Sequence, residues 1–379
     1  MVAMSDTATE LRLTLAARLG SAGWREALRR VPREPFLGEV VYRADGNRAD
    51  RWVPVRRAEM SQDDWLSLAY ADQTWVTQVG GILAEDAPDV VVGQPGSSST
   101  LPSLVVLMLE TARISEGDKV LEIGTGTGYS TSLMCARLGE KAVTTVEYDP
   151  LVAARAEKAI SAVGYAPTCV VGDGLNGYAA NAAYDKVIST CSVRVIPLPW
   201  LWQVRSGGTI TTPMWGWMGG VAFAHLTVAD DGTASGRFLK DDLCFMAART
   251  HLAPPRPPII TGIGQARPSR IDPAILRNDT ALWVAQLAAP QAQCSWGEDT
   301  TILIDVSTGS RADTKPTPAG GWTVYQHGPL RLWDAVEEAI LTWQGAGSPH
   351  QSGFGLTVST DSQRVWLGAP GGPGWRLPA

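Results

Sequence analysis

The sequence predicts an α/β protein: a Rossmann-like, mostly parallel, doubly wound sheet followed by a smaller C-terminal α+β domain. Three observations carry this. Between Gly117 and Pro213 strand-like and helix-like segments alternate, which calls for parallel strands joined by helices lying on both faces of a sheet. Inside that stretch a short apolar run, Val120, Leu121 and Ile123, ends in alternating glycines that open a helix near Tyr129. Further on, Pro254, Pro255, Pro257 and Pro258 cannot donate ladder hydrogen bonds and favour an extended spacer, so residues 253–258 read as a linker between two domains, 1–252 and 259–379.

The elements follow in order. Residues 7–30 carry helix-compatible leucines (Leu11, Leu13, Leu15, Leu19), broken by Gly20 and Gly23 and followed by Pro32, and read as a helical cap. From Pro102 the run Leu104 to Leu109 reads as a buried helix. Strands are expected at 119–123, 142–147, 168–172, 186–190 and 208–212, with helices at 129–138, 150–163 and 197–205. Asp230-Asp231-Gly232-Thr233 marks a hairpin between 221–228 and 236–239. Beyond the prolines come strands at 301–306 and 322–325, a helix from about 329 to 343, and a strand pair at 355–358 and 364–367. The tryptophans of this region, Trp283, Trp296, Trp333, Trp343 and Trp366 among them, are read as core in preference to a peptide groove, because an indole has a large apolar area and a single donor to satisfy.

The glycines point to a cofactor. Gly124, Gly126 and Gly128 let the backbone turn sharply and approach a ligand where a Cβ would intrude. Their G-x-G-x-G spacing, with Glu122 just before the first glycine, favours S-adenosyl-L-methionine over NAD. Glu147 ends the next strand, where an acceptor-only carboxylate suits the two ribose hydroxyls of an adenosine. Asp173-Gly174 follows a third strand, with Asp173 placed to accept from the adenine amino group. Thr125 and Tyr129 in the loop and Tyr148 after Glu147 complete the expected cofactor contacts. A single such turn would suit any α/β protein. Three in this order make an adenosine site the better reading.

The order Val31-Pro32-Arg33-Glu34-Pro35-Phe36, then Ser97-Ser98-Ser99-Thr100-Leu101-Pro102, then the glycine loop, resembles the protein-L-isoaspartate O-methyltransferase family from about Trp24 to about His251. The resemblance implies a class I methyltransferase fold, S-adenosyl-L-methionine as cofactor and S-adenosyl-L-homocysteine as its product. In that family a hydroxyl residue two places before a proline lies beside the transferring methyl. Thr100 holds that position here, where the family usually has Ser, and Ser99 is a possible substitute. By the same resemblance Ser97, Ser98 and Leu175 would face the acceptor, and Gly80 to Gly96 is an insertion. The alternative for Ser99 and Thr100 is that they cap the helix at Pro102. The C-terminal part resembles the extension of methyltransferases associated with ribosomally made, post-translationally modified peptides, which implies an aspartate of a cyclised precursor peptide as the acceptor.

Composition narrows the classes. The 379 residues, 45% apolar, are enough for sizeable cores and two domains. A net charge of −6 with no basic block argues against a nucleic-acid partner. The first residues, Met1 to Asp6, lack an apolar core for a signal peptide, and no stretch reaches the ~20 apolar residues of a membrane span, so a cytoplasmic monomer without a membrane partner is expected. The five cysteines stand singly and are expected as buried, reduced thiols. The four histidines are equally dispersed, so no metal is expected. No G-x-S-x-G elbow is present, and the Ser97 to Ser99 run reads as a loop.

The chemistry these features suggest is carboxyl O-methylation. A side-chain carboxylate is already an anion at neutral pH, with an unperturbed pKa near 4, so the reaction requires no general base and chiefly needs alignment and exclusion of water. The resulting methyl ester is attacked by the next backbone nitrogen to give a succinimide, which hydrolyses mostly to isoaspartate. The catalytic residues do not separate modification of a normal aspartate from repair of isoaspartyl residues in damaged proteins. The C-terminal domain tips the reading toward modification, as the module that would recognise the peptide. An NAD-linked oxidoreductase and a non-catalytic peptide-binding protein that retains the methyltransferase shell are the competing classes.

Overall fold

The computed structural model describes residues 6–19, 21, 23–46, 48, 50–241, 243–258 and 264–378. Met1 to Ser5, Gly20 and residues 259–263, on which parts of the cap, leader and domain-start expectations fall, lie outside them. The chain divides into two compact units, Met1–Thr190 with Trp202–Thr211, and Cys191–Leu201 with Thr212–Ala379.

The first unit opens with helices α1 (Asp6–Leu19) and α2 (Arg25–Arg30). Strands β1 (Val40–Ala44) and β2 (Arg51–Arg56), helix α3 (Gln62–Tyr70), and strands β3 (Trp75–Val79), β4 (Ile82–Leu83), β5 (Val91–Val92) and β6 (Pro95–Ser99) follow. These strands form an antiparallel sheet in the order β4-β3-β1-β2-β5, with β6 also on β3. The sequence reading missed this sheet. Its strands are short, and β6, Pro-Gly-Ser-Ser-Ser, has no β-forming residues, so Ser97 to Ser99 lie in a strand made by pairing with β3 and not in the expected loop. Ala8 and Leu15 of α1 pack with Leu37, Val41, Trp65 and Trp75, so the cap is part of a core.

Helix α4 (Pro102–Thr111) leads to the alternating region: β7 (Val120–Ile123), α5 (Tyr129–Leu138), β8 (Val143–Glu147), α6 (Pro150–Ala162), β9 (Thr168–Val171), β10 (Tyr184–Ser189), α7 (Leu198–Gln203) and β11 (Val204–Trp215). The strands run parallel in the order β11-β10-β7-β8-β9. This is the predicted doubly wound arrangement, and it puts the glycine loop, Glu147 and the Asp173 turn at the carboxyl ends of neighbouring strands, where such sheets bind ligands.

In the second unit β12 (Val221–Val228) and β13 (Ala234–Arg237) make the expected hairpin. There follow β14 (Gln265–Pro268), α8 (Asp279–Ala288), β15 (Ala292–Trp296), β16 (Thr301–Asp305), β17 (Arg311–Pro316), β18 (Trp322–His327), α9 (Leu332–Gly345), β19 (Phe354–Val358), β20 (Gln363–Leu367) and β21 (Gly374–Arg376). One sheet runs β14-β18-β17-β16-β15. Another array runs β21-β20-β19-β13-β12. Because Ala234 to Arg237 pair with Gly355 to Val358, a segment before the prolines is joined by hydrogen bonds to the end of the chain, and the unit boundary falls before residue 253. Helix α8 was missed because Thr280 to Leu287 are all buried, so it lacks the polar stripe that marks a helix in sequence. Trp283, Trp333, Trp343 and Trp366 are buried, as core was expected, whereas Trp296 is exposed. Of the cysteines, all free thiols, only Cys135 is buried; Cys244 is exposed and the other three are half-buried, a departure from the expectation.

Candidate active site

The turn after β7 is shaped by its own residues. Gly126 and Gly128 have φ of 56° and 90°, in the left-handed region that side chains with a Cβ avoid, and a Cβ on Gly128 would sit 2.7 Å from Ile160. Gly124 and Thr125 donate their N–H groups to the Val146 carbonyl, at 2.8 and 3.3 Å, which holds the start of the turn against the end of β8. Helix α5 begins at Tyr129, whose buried ring tilts against Phe36 at 5.5 Å.

Three acidic residues surround this turn, each in a different role. Glu147 is 9% exposed; one carboxylate oxygen accepts from Gly126 N at 2.9 Å and the other from Asp149 N at 3.1 Å. Carboxylate oxygens accept more than one bond each, so the same group can face the glycine loop and a diol. Glu122 is fully buried, and the hydroxyls of Ser130, Thr131 and Thr145 donate to it. Burial pushes its carboxyl up to about 7, against the three hydroxyl donors that favour the anion. Thr125 shares a 2.7 Å hydrogen bond with Thr145, so Glu122 supports the loop from beneath through Thr145. Asp173 is half-buried and accepts from Leu175 N at 3.0 Å, capping the short turn that starts at Gly174, a glycine packed where a Cβ would meet Ile123. Leu175 is half-buried and Tyr148 is 48% exposed. A cavity of about 110 Å³ lies beside Glu147, lined by Thr125, Ala153, Cys169 and Val171.

The turn after β6 contains the hydroxyl residues. Ser97 is buried and its hydroxyl accepts from Thr77 at 3.2 Å. Ser98 turns its carbonyl to the glycine loop, 3.6 Å from where a Cβ on Gly126 would lie. The Ser99 hydroxyl is buried without a hydrogen-bond partner, whereas Thr100 is half-buried. Neither caps α4: its N-cap position is Leu101, with no side-chain cap bond. The capping role falls to Asp72, which accepts from Ser103 N at 2.9 Å, while Thr74 accepts from Leu101 N at 3.0 Å.

Sequence reasoning missed several contributors. Arg33 lies in the quoted motif and Asp72 in the family-like segment Tyr70-Ala71-Asp72 before the hydroxyl residues, but neither was given a role; Thr74, Thr145 and Thr190 were not singled out. Thr190 donates through its hydroxyl to the Ile123 and Gly124 carbonyls, joining the end of β10 to the glycine loop. Gln78, fully buried on β3, donates to Asp149 at 2.9 Å. Only the position of Thr190 at the carboxyl end of a parallel strand could have marked it in sequence.

As a test of fit for an adenosine-bearing, positively charged cofactor, the donor set is suitable. A glycine cradle in positive-φ conformations that side chains avoid lies against a carboxylate, and a second carboxylate follows the neighbouring strand.

A family model described as protein-L-isoaspartate(D-aspartate) O-methyltransferase matches residues 55–231. The chain is 40% identical over 132 residues to the protein-L-isoaspartate O-methyltransferase of Ignicoccus hospitalis, covering 34% of this chain and 62% of that protein. It is 35% identical over 148 residues to protein-L-isoaspartate O-methyltransferase 2 of Polaromonas sp., covering 38% and 67%. A solved structure titled protein-L-isoaspartate O-methyltransferase matches with a TM-score of 0.57 at 20% identity, over 95% of this chain and 99% of that one, a likeness of fold that includes the C-terminal part. The match spans 62%, 55% and 56% of three of the curated relatives. With a relative matched over two thirds of its length, and with the glycine turn and the hydroxyl turn in their expected order, this chain belongs to the protein-L-isoaspartate O-methyltransferase family.

Proposed function

We propose that this protein is a carboxyl O-methyltransferase that uses S-adenosyl-L-methionine and acts on an aspartate-derived side-chain carboxylate of a protein or peptide. The observation that carries the reading is the pairing of two turns: a glycine cradle held to the Glu147 carboxylate, and beside it a strand whose end presents Thr100 with no hydrogen bond to its hydroxyl among the described residues. Glu147 and the backbone of Gly124 to Gly128 would hold the adenosine end, with Asp173 at the base. The cofactor supplies a methyl on a sulfonium, which an acceptor oxygen takes up as the carbon–sulfur bond breaks and S-adenosyl-L-homocysteine leaves. Thr100 donates its hydroxyl hydrogen to one acceptor oxygen and so orients the lone pairs of the other. No proton has to be removed, since the carboxylate is ionised at neutral pH. Alignment and water exclusion are what the protein contributes.

L-isoaspartyl residues, the acceptor in the names of the relatives, are the first assignment. A second reading takes a normal aspartate in a cyclised, ribosomally made peptide, with residues 259–379 recognising it and a succinimide or isoaspartate as the end product. It is favoured by residues 232–379 lying beyond the family match. The whole-length likeness of fold takes weight from that argument, since a C-terminal part of this kind also occurs in a structure titled protein-L-isoaspartate O-methyltransferase. The test offers one peptide as linear isoaspartyl, linear aspartyl and cyclised aspartyl forms, with mass spectrometry of the methyl ester and succinimide. Methylation of the linear isoaspartyl form supports the first assignment, preference for the cyclic aspartyl form replaces it by the second, and no methyl transfer to any form removes both.

A further inference from the structure

The hydroxyl turn is shaped locally at Leu101, which Pro102 restricts to an extended conformation, and the side chain that reaches the turn from elsewhere is Arg33. This guanidinium is fully buried, and five backbone carbonyls surround it. One terminal nitrogen donates to Ala69 O at 2.8 Å and Ala71 O at 2.7 Å. The other donates to Gln73 O at 2.8 Å, Ser99 O at 3.3 Å and Thr100 O at 3.2 Å. The first three carbonyls belong to the end of α3 and the segment after it. That segment also supplies Asp72 and Thr74, which accept from Ser103 N and Leu101 N. Thus, besides the pairing of Ser99 with Trp75 on β3, the backbone from Ser99 to Ser103 is held at four points to Arg33 or to the segment that Arg33 itself grips.

We infer that Arg33 is a positioning residue for acceptor methylation, acting through the carbonyls of Ser99 and Thr100 to set where the Thr100 hydroxyl points. The inference rests on the proposed methyl transfer. Its physical basis is the guanidinium fork: a planar group with donors in fixed directions can order several carbonyls at once, whereas an ammonium is a point charge with no preferred plane. Burial lowers the Arg33 pKa to about 10, so the group stays charged at neutral pH and its hydrogen bonds to the carbonyls are charge-assisted. Arg33 is fully buried, and its bonds to the turn are to the Ser99 and Thr100 carbonyls.

The test uses Arg33→Lys, Thr74→Val and Thr100→Val in the full chain, singly and as Arg33→Lys/Thr100→Val. Arg33→Lys is expected to lower kcat by up to roughly tenfold and by no more than Thr100→Val does, since it acts through the Thr100 hydroxyl, with cofactor affinity by calorimetry and acceptor KM changed less than about threefold. Thr74→Val removes a second support from an exposed side chain and is expected to lower kcat by roughly 3- to 10-fold. In the double variant, kcat should equal that of Thr100→Val alone, because the two residues act as one unit. Without cofactor or acceptor, amide exchange at Leu101 and Ser103 should be faster in Arg33→Lys than in the wild type. Multiplying kcat losses in the double variant, or a cofactor affinity that falls with kcat, would overturn the positioning role. Should Arg33→Lys fail to fold, an unchanged kcat in Thr74→Val together with unchanged exchange would overturn it equally. An inactive wild-type chain that still binds cofactor would instead sink the proposed acceptor chemistry, a different outcome from either.

Discussion

The turn after β7 and the turn after β6 both lead into a helix and both lie beside the candidate site, but their shapes have different origins. Gly124, Gly126 and Gly128 adopt positive φ because glycine alone does so without cost, and the bonds to Val146 and Glu147 come from the adjacent strand. Ser99 to Ser103 are held by Arg33, Asp72 and Thr74, which come from other elements. A turn specified by its own backbone preferences is robust to change elsewhere but intolerant of change within. A turn specified by remote donors and acceptors has the opposite sensitivity.

The largest expected effect comes from putting a side chain into the first turn. Gly128→Ala adds a Cβ 2.7 Å from Ile160 at a φ of 90°, so left-handed strain of about 1–2 kcal/mol adds to overpacking of about 1–3 kcal/mol. Urea unfolding should report the sum, and an unchanged midpoint would show that the turn relaxes freely. Next is the support beneath the loop. The Glu122 carboxyl stands at about 7 in the folded chain against 4.5 as the ordinary value, so the folded chain holds a proton that the unfolded chain releases. Stability from this group is therefore present below pH 4.5 and lost as pH rises to about 7, on the order of 3 kcal/mol in all. Denaturation across that range should show the decline in wild type and a flatter curve in Glu122→Gln; parallel curves would remove Glu122 as the cause.

Glu147→Ala separates binding from folding. It is expected to weaken S-adenosyl-L-methionine by about 1.5–3 kcal/mol, the scale of a hydrogen bond to a charged group, and calorimetry on the folded variant reads it directly. Equal affinity would take Glu147 out of the site. The smallest effects lie in the second turn and distinguish its two hydroxyls. Thr100→Ala should lower kcat roughly tenfold, about 1.4 kcal/mol of barrier, and Thr100→Ser should keep much of the rate. Ser99→Ala removes a buried hydroxyl without a partner, so it should leave kcat near wild type and raise stability by up to about 1 kcal/mol. Reversed results would mean that the loop alignment is one residue out.

Much of the doubly wound region was legible because its signals are local. Helix α5 runs from Tyr129 to Leu138 as the pattern predicts, and α6 begins at Pro150 behind the Asp149 cap. The antiparallel sheet of the first unit was not legible, because a strand such as β6 exists only by pairing with β3. The proline run also misled: Pro254 to Pro258 look like a boundary, yet the strands before them pair with β19 near the end of the chain, and no local composition encodes a partner that distant in sequence.

The sequence by itself determined the parallel sheet, the glycine turn and the acidic residues at the strand ends, since apolar periodicity and positive-φ glycines act over a few residues. Only the tertiary structure decided that Glu122 lies beneath the loop, that the Ser99 hydroxyl is buried while Thr100 is half-buried, and that Arg33 holds the turn between them. The physical reason is that burial and hydrogen-bond partnership belong to pairs of groups. A carboxylate, a hydroxyl or a guanidinium reads the same in sequence whether it faces solvent or is enclosed by carbonyls, and only the packed chain distinguishes the two.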